Sequence, residues 1–188
     1  MDKSTARSDL ALVDRILQSA DRSLNVPPLI FLTWGLFAAI INAVQQARAL
    51  GFPVPPDGSF HLPLILLGVG VSLWVGRRGD SERETKVDTQ AGITFGVAFG
   101  VVLLLNLTAQ HRVIPEEAMT LFWSGGLSMA LLIIGVQASR PLLIGGIALL
   151  TASVLASFVP DWFHGTIAVG WLAGMVIPAV VLWNRQRG

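Results

Sequence analysis

Apolar residues gather in six long blocks, at about 28–46, 60–76, 91–109, 118–137, 141–159 and 164–183, divided by short polar connections. Each block approaches the roughly 20 mostly apolar residues that carry an α-helix across a hydrocarbon core about 30 Å thick. The pattern predicts an all-α, polytopic membrane protein, with a bundle of six transmembrane helices over 27–188. The second block is the shortest, and Pro63 interrupts its beginning. A proline is tolerated there if it falls in the first helical turn, where its missing N–H is not needed. The other five blocks hold no Asp, Glu, Lys or Arg in their interiors.

Ahead of the first block, residues 1–26 follow a helical period with a mixed surface. Leu10, Val13, Leu17, Ala20 and Leu24 share one stripe with Ile16 beside it, while Asp14, Gln18 and Asp21 lie opposite. This predicts an amphipathic cytoplasmic helix, broken by Pro27 and Pro28 before the first span. The segment lacks the basic start and apolar centre of a cleavable signal, so the first block is expected to stay in the mature protein.

Short connections such as "ASR" before Pro141 and "PDWF" around Asp161 leave room only for antiparallel neighbours. Counting Lys and Arg by alternate sides then orients the chain. Lys3, Arg7, Arg15, Arg22, Arg77, Arg78, Arg83, Lys86, Arg140, Arg185 and Arg187 fall on one side, and only Arg48 and Arg112 on the other. Both termini are therefore expected in the cytoplasm, with a bacterial inner (plasma) membrane as the expected location.

Composition agrees with this reading, since 53% of residues are hydrophobic and only 13% charged. A net charge of +1 gives no electrostatic reason to expect a nucleic-acid partner. The absence of cysteine removes disulfides, thiolate nucleophiles, thiolate zinc sites and iron–sulfur clusters. No phosphate-binding glycine loop, H-E-x-x-H or G-x-S-x-G occurs. Proton relays and intramembrane enzymes keep ionisable groups inside the bilayer despite their cost, and these spans keep none. The expectation is a protein that is not an enzyme and carries no cofactor.

The polar residues that remain collect at one end of the predicted bundle. Asn42, Gln45 and Gln46 lie in the outer part of the first block, and Asn106, Thr108 and Gln110 in that of the third. His61, His111 and His164 also fall at outer ends, near Asp161. One reading is a shallow outward-facing site for a small polar ligand or a metal, formed by Asn42, His61, Asn106, His111, Asp161 and His164. The other is that amides bond between helices while His and Trp sit at the polar interface. No two histidines share a helical turn, so only folding could assemble metal ligands from them.

Glycines supply the second candidate surface. Gly92, Gly96 and Gly100 fall on one face of the third block, and Gly170 and Gly174 form a shorter strip in the last, with Pro178 following. Such strips let another backbone approach closely. The third-block strip is expected to meet a helix of its own chain, first of all the sixth span. A protein partner, through the N-terminal helix or these glycine faces, or a second copy of the chain, is the remaining expectation beside the lipid bilayer.

Ala39, Ala43 and Ala47 repeat the small-residue spacing in the first block. With six spans and this A-x-x-x-A pattern, the chain resembles the substrate-binding S components of energy-coupling-factor vitamin transporters. The resemblance implies that these alanines meet a partner transmembrane subunit and that a ligand site faces outward. The first expectation for function is thus an accessory, regulatory or scaffold subunit acting through helix packing. The alternative is a transport or substrate-binding component using the outer polar site.

Overall fold

The computed structural model describes residues 28–55, 57–78, 86–109 and 115–187. The expected N-terminal amphipathic helix lies outside them. Among the described residues the chain is all-helical. The helices are α1 (Pro28–Ala49), α2 (Asp57–Arg78), α3 (Lys86–Ala109), α4 (Glu116–Ala138), α5 (Arg140–Ala156), α6 (Phe163–Trp171) and α7 (Ile177–Arg187). A 3₁₀ turn, Pro160–Trp162, leads into α6, and a π-helical segment, Leu172–Val176, joins α6 to α7 in one rod.

Chain chemistry sets several of these boundaries. Pro28 opens α1, where its fixed φ suits a first turn. At the other end Gly51 takes φ 82°, and the bonds Phe52 N–H to Ala47 O (3.0 Å) and Gly51 N–H to Arg48 O (2.9 Å) close a Schellman motif. Ser139 alone separates α4 from α5, and Pro141 lies in the first turn of α5.

Among the described residues, three helical stretches are long and apolar enough to cross a membrane: Pro28–Ala49, Glu117–Gln137 and Pro160–Arg185. Shorter apolar stretches among the described residues are Pro63–Val75 within α2, Gly92–Val102 within α3, and α5 itself, Arg140–Ala156. For α5 the reason is local. It ends at Ala156 rather than near 159, because Ser157, Phe158 and Val159 turn through i→i−3 bonds toward Pro160, and its 17 residues rise only about 26 Å. In α2 the helix begins at Asp57, so Pro63 falls beyond the first turn expected for it and removes one intrahelical bond.

The last rod packs between α1 and α5; α4 packs on α5, α3 on α4, and α2 on α1. Leu131, Ile134, Leu142, Leu149, Ile167 and Met175 form the most deeply buried part of the core. Single glycines set the close approaches. Gly135 faces the Leu143 backbone in the α4–α5 hairpin, Gly146 faces Leu132, and Gly35 of α1 faces Met175 and Val176 in the π segment. Three buried hydroxyls answer to their own helices: Ser124 donates to Thr120 O (2.9 Å), Ser128 to Gly125 O (2.7 Å) and Ser153 to Leu149 O (2.8 Å). Such back-bonding satisfies a small polar residue without a partner from another helix.

Candidate functional site

Where α1 meets α6, the polar residues come together in part. Asn42, Gln45 and Gln46 are all buried on α1. Asn42 Nδ2 donates to Ala38 O at 2.9 Å, and its Oδ1 lies 3.4 Å from His164 Nδ1. The Phe163 ring stands edge-on to the His164 imidazole at 5.1 Å.

Gln46 performs a distinct task one turn further along α1. Its Oε1 accepts the Gly165 N–H at 2.8 Å, while its Nε2 donates to the Asp161 carbonyl at 2.8 Å. Gly165 is the third residue of α6, whose opening N–H groups have no intrahelical acceptor. Trp162, at the cap position, makes no side-chain cap bond, so the Gln46 amide caps α6 from another helix. Gly165 suits that approach: a Cβ there would come within 3.4 Å of the Gln46 side chain and 3.2 Å of the Trp162 ring.

The predicted ligand set is therefore distributed as follows. Asn42 and His164 meet. Asp161 joins the cluster through its carbonyl while the residue itself is exposed. His111 lies outside the described residues, as do the side chains of His61 and Asn106. Among the described residues no three His, Asp or Glu side chains gather as a metal site would require. Gln46 was missing from the expected site set. Its sequence signal was the i,i+4 spacing from Asn42, which places both amides on the face turned to α6.

The two glycine strips have different surroundings. Gly170 faces Ala152 and Leu149 of α5, while Gly174 faces Leu149 Cβ and the Gly145 carbonyl. Added Cβ atoms at Gly92, Gly96 and Gly100 meet no described residue within 4 Å, and all three glycines are exposed. The expectation that this strip meets the last span is thus corrected, because the last rod packs on α1 and α5 instead.

Aromatic packing accounts for the turn of α3. Phe95 meets Phe31 edge-on at 5.8 Å, Phe99 meets Trp123 at 5.3 Å, and Val102 fills the space over Gly126. These inward residues lie about a quarter turn from the glycine strip at 100° per residue. Burying two rings thus leaves the glycines facing outward. Trp34 fills another interhelical gap, lying over Gly68 and donating its indole N–H to Ser72 Oγ at 3.0 Å.

The alanines of α1 divide similarly, with Ala39 buried and Ala43 exposed. Comparison of the chain with protein-family models, curated proteins and solved structures gave no match.

Proposed function

We propose that this chain is a six-span bundle with both termini cytoplasmic, acting as a membrane accessory or scaffold subunit through helix packing rather than bond-making chemistry. The observation that carries the reading is the outward glycine strip of α3. Gly92, Gly96 and Gly100 leave a backbone-deep groove where no described residue of this chain packs. Hydrocarbon tails are as apolar as leucine, so helices in a bilayer associate through close packing, which such a groove favours. The short α4–α5 connection and the three long apolar stretches support insertion as antiparallel hairpins. α2 and α3, of 22 and 24 residues, and the shorter α5, around which the bilayer thins, complete the six spans.

A second reading takes the Asn42–His164 approach as the floor of a site for a small polar solute. It rests on two side chains from different helices meeting at 3.4 Å beside buried Gln45.

Native mass spectrometry from lipid discs separates the two. The packing reading expects Gly96→Leu to remove a higher-order complex while His164→Ala leaves it intact. The binding reading expects a copurifying small molecule that His164→Ala releases. A wild-type chain that is always monomeric refutes the first, and preparations that are always free of small molecules refute the second.

A further inference from the structure

We propose that the mouth of α5 holds the phosphate of an anionic lipid, bound by the Ser139 hydroxyl, the first N–H groups of the helix and two arginines. The first observation is an unmet hydroxyl. Ser139 is 7% exposed, and its Oγ is the one buried side-chain polar atom among the described residues that makes no hydrogen bond. The buried hydroxyls of Ser124, Ser128 and Ser153, by contrast, each donate to a carbonyl of their own helix.

Ser139 also stands at the N-cap of α5, with extended backbone (φ −157°, ψ 105°). From that position a serine ordinarily accepts the N–H three residues on, here that of Leu142. No such bond forms. Pro141 has no N–H, and the Leu143 N–H donates to the Ser139 carbonyl at 3.0 Å. The N–H groups of Arg140 and Leu142 therefore meet no described acceptor, and Leu142 is fully buried. A buried hydroxyl and two open N–H groups thus stand within one turn, and unmet donors in such a place are costly.

The charged side chains at this mouth are cationic. Arg140 is exposed, and the first turn of α5 has no acidic residue. The positive end of the helix dipole lies at the same point. Gly145 packs against Gly174 and Pro178 of the last rod. Five residues back from Gly145 and seven on from Pro178, Arg140 and the exposed Arg185 come within about one turn of each other along the bundle axis. The carbonyl end of α4 lies alongside and opposes an anion, so these two guanidinium groups are needed to favour one.

A phosphate oxygen accepts readily from N–H groups at a helix N-terminus, and guanidinium groups pair with it in parallel bonds. Position names the source. In the topology proposed above, this end of the bundle meets the cytoplasmic leaflet, where anionic headgroups lie at the level of the helix ends.

Native mass spectrometry of the chain in an uncharged detergent, titrated with phosphatidylglycerol, phosphatidylcholine or inorganic phosphate, tests this. One phosphatidylglycerol should be held about tenfold more tightly than phosphatidylcholine, whose choline offsets the phosphate charge. Ser139→Ala and Arg140→Gln should each weaken that lipid about five- to tenfold, as loss of one charge-assisted contact does. Arg77→Gln, exposed at the end of α2 on the same side, should leave it unchanged. Equal weakening by Arg77→Gln would reveal general attraction to basic residues and overturn the site, as would undiminished binding in Ser139→Ala. Displacement by inorganic phosphate at the lipid's own concentration would overturn the lipid as the source. Equal retention of both lipids would overturn the site and leave the membrane topology standing. In lipid-free micelles Ser139→Ala should unfold as the parent does, because its hydroxyl bonds nothing there. A destabilised Ser139→Ala would show that the hydroxyl caps α5 by itself, and would overturn the proposal.

Discussion

Replacing Gln46 tests whether one helix caps another. Its amide gives α6 the acceptor that Trp162 cannot, at 2.8 Å from Gly165 N, and holds the Asp161 carbonyl at 2.8 Å. Gln46→Leu keeps the approximate volume and removes both bonds. The Asp161 loss is small, because that residue is exposed and water can replace the donor. The Gly165 N–H sits in a half-buried first turn beneath the Trp162 ring, where an unmet donor is harder to hydrate. Loss of an N-cap acceptor costs about 0.5–2 kcal/mol, and stranding a buried donor about 1–3, so about 1–2 kcal/mol is expected here. Gln46→Glu retains an acceptor for Gly165 but sets a carboxylate against the Asp161 carbonyl, and should recover only part of the loss. Asp161→Asn should be within about 0.5 kcal/mol of the parent, as for surface substitutions generally. Reversible unfolding in mixed micelles gives the stabilities, and hydrogen exchange at Gly165 localises them. Exchange at Gly165 that is as slow in Gln46→Leu as in the parent would refute the capping argument.

Two further predictions concern packing. Gly174→Leu forces a side chain against Leu149 and the Gly145 carbonyl, and the overpacking should cost about 1–3 kcal/mol or more. Gly96→Leu should cost the monomer nothing and, by removing an exposed helical glycine, add up to about 1 kcal/mol, so equal losses in micelle unfolding would contradict the different surroundings of the two strips. Trp34→Phe and Ser72→Ala each remove the 3.0 Å indole bond between α1 and α2, worth about 0.5–1.5 kcal/mol. The double variant should lose less than the sum of the singles, and strict additivity would show that the bond contributes nothing.

The helical class could be read from apolar block lengths because α1 and α4 have uninterrupted interiors and a proline at or just before their starts. What periodicity left open was azimuth. Gly92, Gly96 and Gly100 share a face by spacing alone, but which way it turns depends on Phe95 and Phe99 finding Phe31 and Trp123. The polar site shows the same limit. Asn42 and Gln46 are visible as an i,i+4 pair, yet the partner of Gln46 is a backbone N–H 119 residues away. Gly145 and Gly146 stand outside any four-residue repeat, so their close approaches appear only once α5 is laid against its neighbours. The shortness of α5 also has a local cause, in the early turn before Pro160.

The rod formed by α6, the π segment and α7 shows what close packing achieves where apolar burial gives little preference between lipid and protein. Pro178 has no N–H, so the Gly174 carbonyl four residues earlier loses its usual donor. The helix widens just before it, with Ile177 N–H reaching back five residues to Leu172 O. Gly145 of α5 lies directly against the Gly174 carbonyl, and Gly35 of α1 lies against Met175 and Val176. A Cα hydrogen of Gly145 is therefore directed at a carbonyl that would otherwise face only hydrocarbon, a weak contact available only while position 145 has no side chain. Small residues here do more than narrow the gap between helices, because they let neighbouring backbones accommodate an irregular turn. α3 has no comparable irregularity at Gly92, Gly96 and Gly100, and these glycines serve no such turn within the fold. Their cost in helix propensity, about 1 kcal/mol each relative to alanine, has no offsetting contact among the described residues, and on the proposed reading it is offset only in the assembly.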